Sequence, residues 1–157
     1  MARKQSIRGF REVRKQFKKF DTPTTLPVRA DNKSAGYDLF SKETRVLAPG
    51  ETRIFWTDVR AYMQPNEVLL LFVRSSLGVK LGINLANSVG IIDASYYGNK
   101  ENDGNIGIAL TNNSRKTVTI TKDMRIGQAI FMDYLLADKD ETLKNEREGG
   151  FGSSDKQ

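Results

Sequence analysis

Residues 90–98 read Gly90-Ile91-Ile92-Asp93-Ala94-Ser95-Tyr96-Tyr97-Gly98, and this stretch decides how the rest of the chain is read. A glycine opens a short β-branched run, one carboxylate ends it, and two aromatic residues and a second glycine turn the chain. That is how a strand delivers a single charged group to the rim of a pocket. It is equally how an Asp closes a strand end, since its side chain hydrogen-bonds nearby backbone in turns. The same grammar repeats in both directions. Tyr37 to Phe40, Thr44 to Leu47, Thr52 to Trp56, Val68 to Val73, Ile83 to Ala86, Ile106 to Leu110, Val118 to Ile120 and Gln128 to Leu135 are short apolar or β-branched runs. Ala48-Pro49-Gly50, Gln64-Pro65-Asn66, Asn102-Asp103-Gly104 and Asn112-Asn113-Ser114 separate them as turns. Many short strands at such spacing predict an all-β sandwich, barrel or jelly roll.

Composition narrows the chemistry. The 157 residues suffice for one domain with tails. The chain has no His and no Cys, which excludes a disulfide scaffold, a thiol nucleophile, a Ser-His relay and any zinc site built on those ligands. An enzyme of this composition must draw its base from Asp, Glu, Lys or Tyr. A metal would be hard and oxygen-bound, and Mg²⁺ on a phosphorylated substrate fits best. No apolar run approaches the roughly 20 residues of a membrane span, and the basic N-terminus lacks a signal core. The expectation is a soluble, cytoplasmic protein.

The net charge of +6 is unevenly placed. Residues 1–20 carry eight Lys or Arg against Glu12 alone, a net +7, which leaves residues 21–157 at −1. A near-neutral body argues against a broad nucleic-acid surface, whereas the arm could be a solvated basic face or a partner patch. Ile7, Phe10, Val13, Phe17 and Phe20 recur at spacings of three and four, as in an amphipathic helix. Ile7 to Val13 also reads as a short strand followed by an irregular basic segment, with Gly9 opposing a helix start. Past Ala137 charge rises and apolar content falls, ending in Gly149-Gly150-Phe151-Gly152-Ser153-Ser154. Such a tail is expected to be mobile, and its lone Phe either stays disordered or closes over something. The expected division is a basic arm at 1–20, a β domain at 21–140 and a lid at 141–157.

Five short pieces stand in fixed order: Ala35 to Leu39, Arg74 to Gly78, Gly90 to Gly98, Arg125 to Gln128, and Arg147 to Ser154. Their order and chemistry resemble the trimeric dUTPases, the deoxyuridine triphosphate nucleotidohydrolases. Ile7 to Phe10 and Ala61 to Pro65 look like the branch found in Gram-positive bacteria and their phages. The resemblance implies a jelly-roll-like distorted β-barrel with a mobile C-terminal tail. It implies Mg²⁺-dependent hydrolysis of dUTP to dUMP and pyrophosphate, which removes dUTP and supplies the dTMP precursor. It also implies a homotrimer in which the first and third motifs come from different subunits and a third subunit's tail closes the lid.

Residue by residue, the resemblance makes Asp93 the base for water attack on the α-phosphorus. It sets Tyr96 beneath the deoxyribose, where a ribose 2′-hydroxyl would clash, and leaves Tyr97 as a core tyrosine. Uracil would be read by main-chain groups of a tight hairpin from about Ile83 to Ile92; Asn87 is either an added amide contact or an ordinary turn residue. Arg74, Ser75, Ser76 and Gln128 would hold phosphate oxygens, with Arg125 structural. Asp38 would steady Mg²⁺ through water as an outer-shell residue. In the tail, Phe151 would stack on the base while Arg147, Ser153 and Ser154 grip the γ-phosphate.

The chain departs from the family pattern in several places. Val73 stands where proline is frequent and Ser76 where glycine is. Residues 99–105 are longer and more polar than the usual turn, and read as a hairpin extension or partner surface. Glu148 alone separates Arg147 from the glycine pair, and Asp155 replaces a glycine. Two rival readings are a dCTP deaminase of the same fold, and a dUTP-binding regulatory module whose arm or 99–105 segment recruits protein or nucleic acid.

Overall fold

The computed structural model describes residues 6–142. Its strands are β1 (Gly9–Glu12), β2 (Val28–Arg29), β3 (Tyr37–Phe40), β4 (Arg45–Leu47), β5 (Thr52–Trp56), β6 (Val59–Tyr62), β7 (Glu67–Phe72), β8 (Ile83–Leu85), β9 (Gly90–Asp93), β10 (Gly107–Asn112), β11 (Val118–Ile120) and β12 (Arg125–Asp133). A five-stranded sheet runs β2-β3-β12-β7-β9, a three-stranded sheet runs β5-β10-β8, and β1-β6 and β4-β11 form two-stranded ladders. The all-β expectation holds, although the sheets stay open and do not close into a continuous barrel. Alternation drives the packing: β10 turns Ile108, Leu110 and Asn112 inward at every second position. Leu39, Leu69, Leu71 and Ile126 of the larger sheet join Phe55, Ile83 and Leu85 of the smaller in one buried cluster. Each such side chain contributes about 1.5–3 kcal/mol by leaving water.

Three elements differ from the sequence reading. Helix α1 (Ser75–Leu81) follows β7 where only strands were expected; Leu77 anchors it in the core and Gly82, at φ 67°, ends it in the left-handed conformation that glycine adopts without penalty. Strand β6 was missed because Val59-Arg60-Ala61-Tyr62 is so short an alternation, with Val59 and Ala61 buried. The third is the 83–92 segment. Strand β8 bonds to β10 and β9 bonds to β7, so the two belong to different sheets and form no tight hairpin. No helix among the described residues is long and apolar enough to cross a membrane.

The described part of the arm is bound to the body. Strand β1 pairs with β6, and a single 3₁₀ turn (Lys15–Phe17) follows. The apolar spacing thus serves a strand and a turn, not an amphipathic helix: Phe10 packs against Tyr37 and Phe131, with ring centroids 5.3 and 5.2 Å away, and Val13 is buried. Several of the arm's described basic residues find partners within the fold. Arg14 donates to Asp103 from its backbone N–H at 2.8 Å and from Nε at 2.9 Å. Lys18 pairs with Glu12 at 2.6 Å, while Arg11 lies over the Tyr62 ring and Lys19 over Trp56. Buried Asp58 accepts the Lys19 and Phe20 N–H groups at 2.8 and 3.2 Å.

The 99–105 segment is a turn whose asparagines and aspartate point inward, while Lys100 and Glu101 stay exposed. Asn99, Asn102, Asp103 and Asn105 are all buried, because their side chains satisfy the turn's own backbone and the arm. Asp103 takes Arg60 Nη1 at 2.8 Å in addition to Arg14, and Asn105 Nδ2 donates to Asp58 at 3.0 Å. Tyr97, expected in the core, is only part-buried; its ring meets Tyr62 edge-on and carries the Arg60 guanidinium.

Glu67, at the start of β7, is buried and accepts Arg8 Nε at 3.0 Å and the Gln64 N–H at 3.0 Å. The Arg8 hydrogen bond holds its carboxyl below the ordinary range against the opposing effect of desolvation. A depressed folded-state pKa gives stability that is present above the unfolded value, about 4.3, and lost as pH falls through the folded one. The thermal midpoint of the parent should therefore drop more steeply between about pH 5 and 3 than that of Glu67→Gln; parallel acid profiles would contradict this.

Candidate active site

Because β8 and β9 are edge strands of two different sheets, a gap opens between them. Edge strands present rows of N–H and C=O groups not used by their own ladder. The gap is a cavity of about 140 Å³ walled by Leu71, Leu85, Gly90, Ile91, Ile106 and Ala109, among others. Three of the expected site residues, Asn87, Ile92 and Tyr96, line the same cavity. The turn between the strands is tightly held: Ser88 N–H reaches the Leu85 carbonyl at 3.1 Å and Ala86 N–H the Ala109 carbonyl at 2.9 Å. Asp93 does not line the cavity. It is part-buried at the end of β9, one residue past Ile92 and three before Tyr96.

The other expected residues gather elsewhere. Asp38 on β3 is buried and pairs with the guanidinium of Arg74. Arg125 Nη1 donates to its second oxygen at 3.4 Å. Gln128 on β12 sits in register with Asp38 on one side and Phe72 of β7 on the other. Ser75 and Ser76 are exposed on the first turn of α1, and Arg74, Ser76, Lys80 and Arg125 line one open groove. Leu77, Leu81 and Met124 give the groove an apolar bed, and its basic side chains could meet phosphate oxygens, with Arg able to present a charge-assisted fork. Arg147, Phe151, Ser153 and Ser154 lie outside the described residues.

Strand β7 separates the two groups. Asp93 is paired with Val68 near its start, whereas Gln128 is paired with Phe72 at its end and Arg74 lies two residues further on. Four to six residues of extended chain are roughly 13–20 Å. Within one chain Asp93 and the Arg74–Gln128 cluster therefore lie toward opposite ends of β7.

Sequence reasoning missed the cavity walls Leu71, Ile106 and Ala109, because core alternation gives no sign that a core face also borders a gap. It also missed the use of Gly36. A Cβ there would stand 2.6 Å from Gln128 Oε1, so the glycine leaves the amide its place. The sequence signal was present in Gly36-Tyr37-Asp38, read only as a motif.

Comparison with solved structures gives the class first: the fold is that of the jelly-roll nucleotide hydrolases. The dUTPase from Streptococcus mutans is 40% identical with a TM-score of 0.74, the match covering 83% of this chain and 98% of that one. A variant of the Staphylococcus bacteriophage 80alpha dUTPase, solved with dUpNHpp, is 25% identical with a TM-score of 0.68, covering 96% and 99%. The chain belongs to the dUTPase family, whose model matches residues 22–155. The deoxyuridine 5′-triphosphate nucleotidohydrolase of Lactococcus lactis is 44% identical over 149 residues, 94% of this chain and 97% of that protein.

With Gln128 reading a phosphate, Gly36→Ala should weaken binding of a non-hydrolysable dUTP analogue about tenfold by displacing the amide. Isothermal calorimetry checks this, and an unchanged affinity would show that Gln128 makes no ligand contact from its present position.

Proposed function

We propose that the chain hydrolyses dUTP to dUMP and pyrophosphate, in a site shared between the subunits of a homotrimer. The observation that carries the reading is the cavity between two strand edges, next to a single carboxylate and of a size for one pyrimidine nucleoside. Main-chain donors and acceptors on the β8 and β9 edges can imitate a base-pairing partner, and the apolar walls leave little room for the methyl of thymine. Asn87 stands where its amide can add a contact, and Tyr96 forms the floor against which the sugar lies. A 2′-hydroxyl would press on that ring, so deoxyribose is preferred by shape.

In the reaction, Asp93 orients a water in line with the leaving pyrophosphate and accepts its proton. The new oxygen–α-phosphorus bond forms as the α–β anhydride bond breaks, and pyrophosphate leaves with the electron pair. Arg74, Ser75, Ser76 and Gln128 of a second subunit hold the phosphates and stabilise the charge that develops. The roughly 13–20 Å between Asp93 and that cluster in one chain supports division between subunits, and the homotrimer expected of the family supplies the partner. Arg147, Phe151, Ser153 and Ser154 would close over the nucleotide.

Among the described residues no three His, Cys, Asp or Glu side chains stand close enough to hold a metal. Asp38 is already paired with Arg74 and Arg125. This donor set fits a Mg²⁺ carried in by the triphosphate, with Asp38 touching its water and not the ion. When bound, the ion neutralises phosphate charge. The cytoplasm, where nucleotide pools lie, is the expected place of action. The internal pairing of the arm's cations weighs against a nucleic-acid module as the main role.

The test is pyrophosphate release from dUTP, with dTTP, UTP and dCTP alongside, for the parent and Asp93→Asn. The expected result is selective dUTP cleavage, lowered about 10²–10⁴-fold in kcat by the substitution while nucleotide binding persists. Ammonia release from dCTP, or binding of dUTP without cleavage, would overturn the reading.

A further inference from the structure

Tyr96 is held at both ends by the loop that follows it. Its hydroxyl donates to the Asn105 carbonyl at 2.7 Å and accepts from Asn102 Nδ2 at 2.8 Å. Its own backbone carbonyl accepts from Asn99 Nδ2 at 2.8 Å. The two asparagines are locked to each other: Asn99 Nδ2 also donates to Asn102 Oδ1 at 2.8 Å, and Asn99 Oδ1 takes the Glu101 and Asn102 N–H groups at 3.0 Å each. Both are buried, at 5% and 8% exposure, so water does not compete for these bonds. The backbone presses in as well. Gly104, at φ +85°, lies so close that a Cβ would be 2.8 Å from the Tyr96 carbonyl. On its other side the loop is tied to the arm through Asp103 and Arg14.

This arrangement fixes what Tyr96 can do in the cavity it lines. Its hydroxyl proton is committed to Asn105, so the ring faces a ligand as a shaped wall. A wall discriminates by shape only if it cannot rotate away, and here the phenol end is what would have to move. We infer that Asn102, braced by Asn99, is a positioning residue for Tyr96, and that the 99–105 loop thereby sets how strictly the cavity excludes a ribose 2′-hydroxyl. The inference rests on the reading of the cavity as the nucleoside site and adds to it a determinant of sugar specificity outside the five motifs.

A loop that only stabilised the fold would lower the amount of active protein and reduce turnover of every substrate alike. The ratio of kcat/KM for dUTP to that for UTP does not depend on the active fraction, and is the readout. It is measured for the parent, Asn102→Ala, Tyr96→Phe and the double variant. Each single substitution should lower the ratio about tenfold, and the double should lower it no further than the worse single, because both remove the same clasp. A retained ratio in the singles, or additive losses in the double, overturns the inference. Where Asn102→Ala fails to fold, Tyr96→Phe decides alone, since it keeps the ring and every loop side chain. A parent that does not distinguish dUTP from UTP removes the nucleoside reading as well; a selective parent with equally selective variants removes only this inference.

Discussion

The antiparallel ladder that sets β9 against β7 is the constraint on which the rest depends. It places Asp93 opposite Val68, while the ladder on the other side of β7 places Gln128 opposite Phe72. Register in a sheet with one buried face cannot slip, because a one-residue shift would turn Leu69 and Leu71 out of the core. The separation of Asp93 from Gln128 and Arg74 is thus as rigid as the core itself. Asp93 lies roughly 13–20 Å from Gln128 and Arg74 measured along β7. This separation along β7 is what supports the proposed division of the site between copies.

The second consequence is the cavity. Strand β9 is committed to β7 and β8 to β10, so the chain between them spans two sheets and leaves two polar edges facing a common gap. A fold that left such edges open to solvent would invite strand addition. Here short strands, a tightly bonded turn and the Tyr96 ring bound the gap as a cavity of about 140 Å³. The buried polar turn behind Tyr96 and the arm strapped across it by Arg14 continue the same construction, in which buried carboxylates receive backbone and guanidinium donors together.

Much of this was legible in the sequence, and the failures have physical reasons. Strands β3, β5 and β11 were readable to the residue because alternation and turn residues agree there. Helix α1 was not, since seven residues with one buried Leu give no period to detect. The Asp93-to-Tyr96 segment, Arg74, Asp38 and Gln128 stood out in the sequence as candidates, and their grouping into two clusters depends on strand pairing, which no local pattern encodes. In the 99–105 segment six polar residues in seven give a composition that looks solvated. Asparagine side chains can satisfy a turn's backbone as well as water can, and only the three-dimensional contacts tell the cases apart. The arm's charge misled similarly, as a count of cations does not reveal that Asp103 and Glu12 wait for them.

Subunit mixing tests the central claim most directly. Asp93→Asn and Arg74→Ala chains are prepared separately, unfolded and refolded together in equal amounts, and assayed for pyrophosphate release from dUTP beside each variant refolded alone. If Asp93 of one copy works with Arg74 of another, random assembly pairs an intact carboxylate with an intact arginine in one half times one half, or roughly a quarter, of the sites, and activity returns to about that fraction of the parent. If the mixture stays as inactive as its components while still assembling, Asp93 and Arg74 serve the same site from the same chain, and the account built on β7 is wrong.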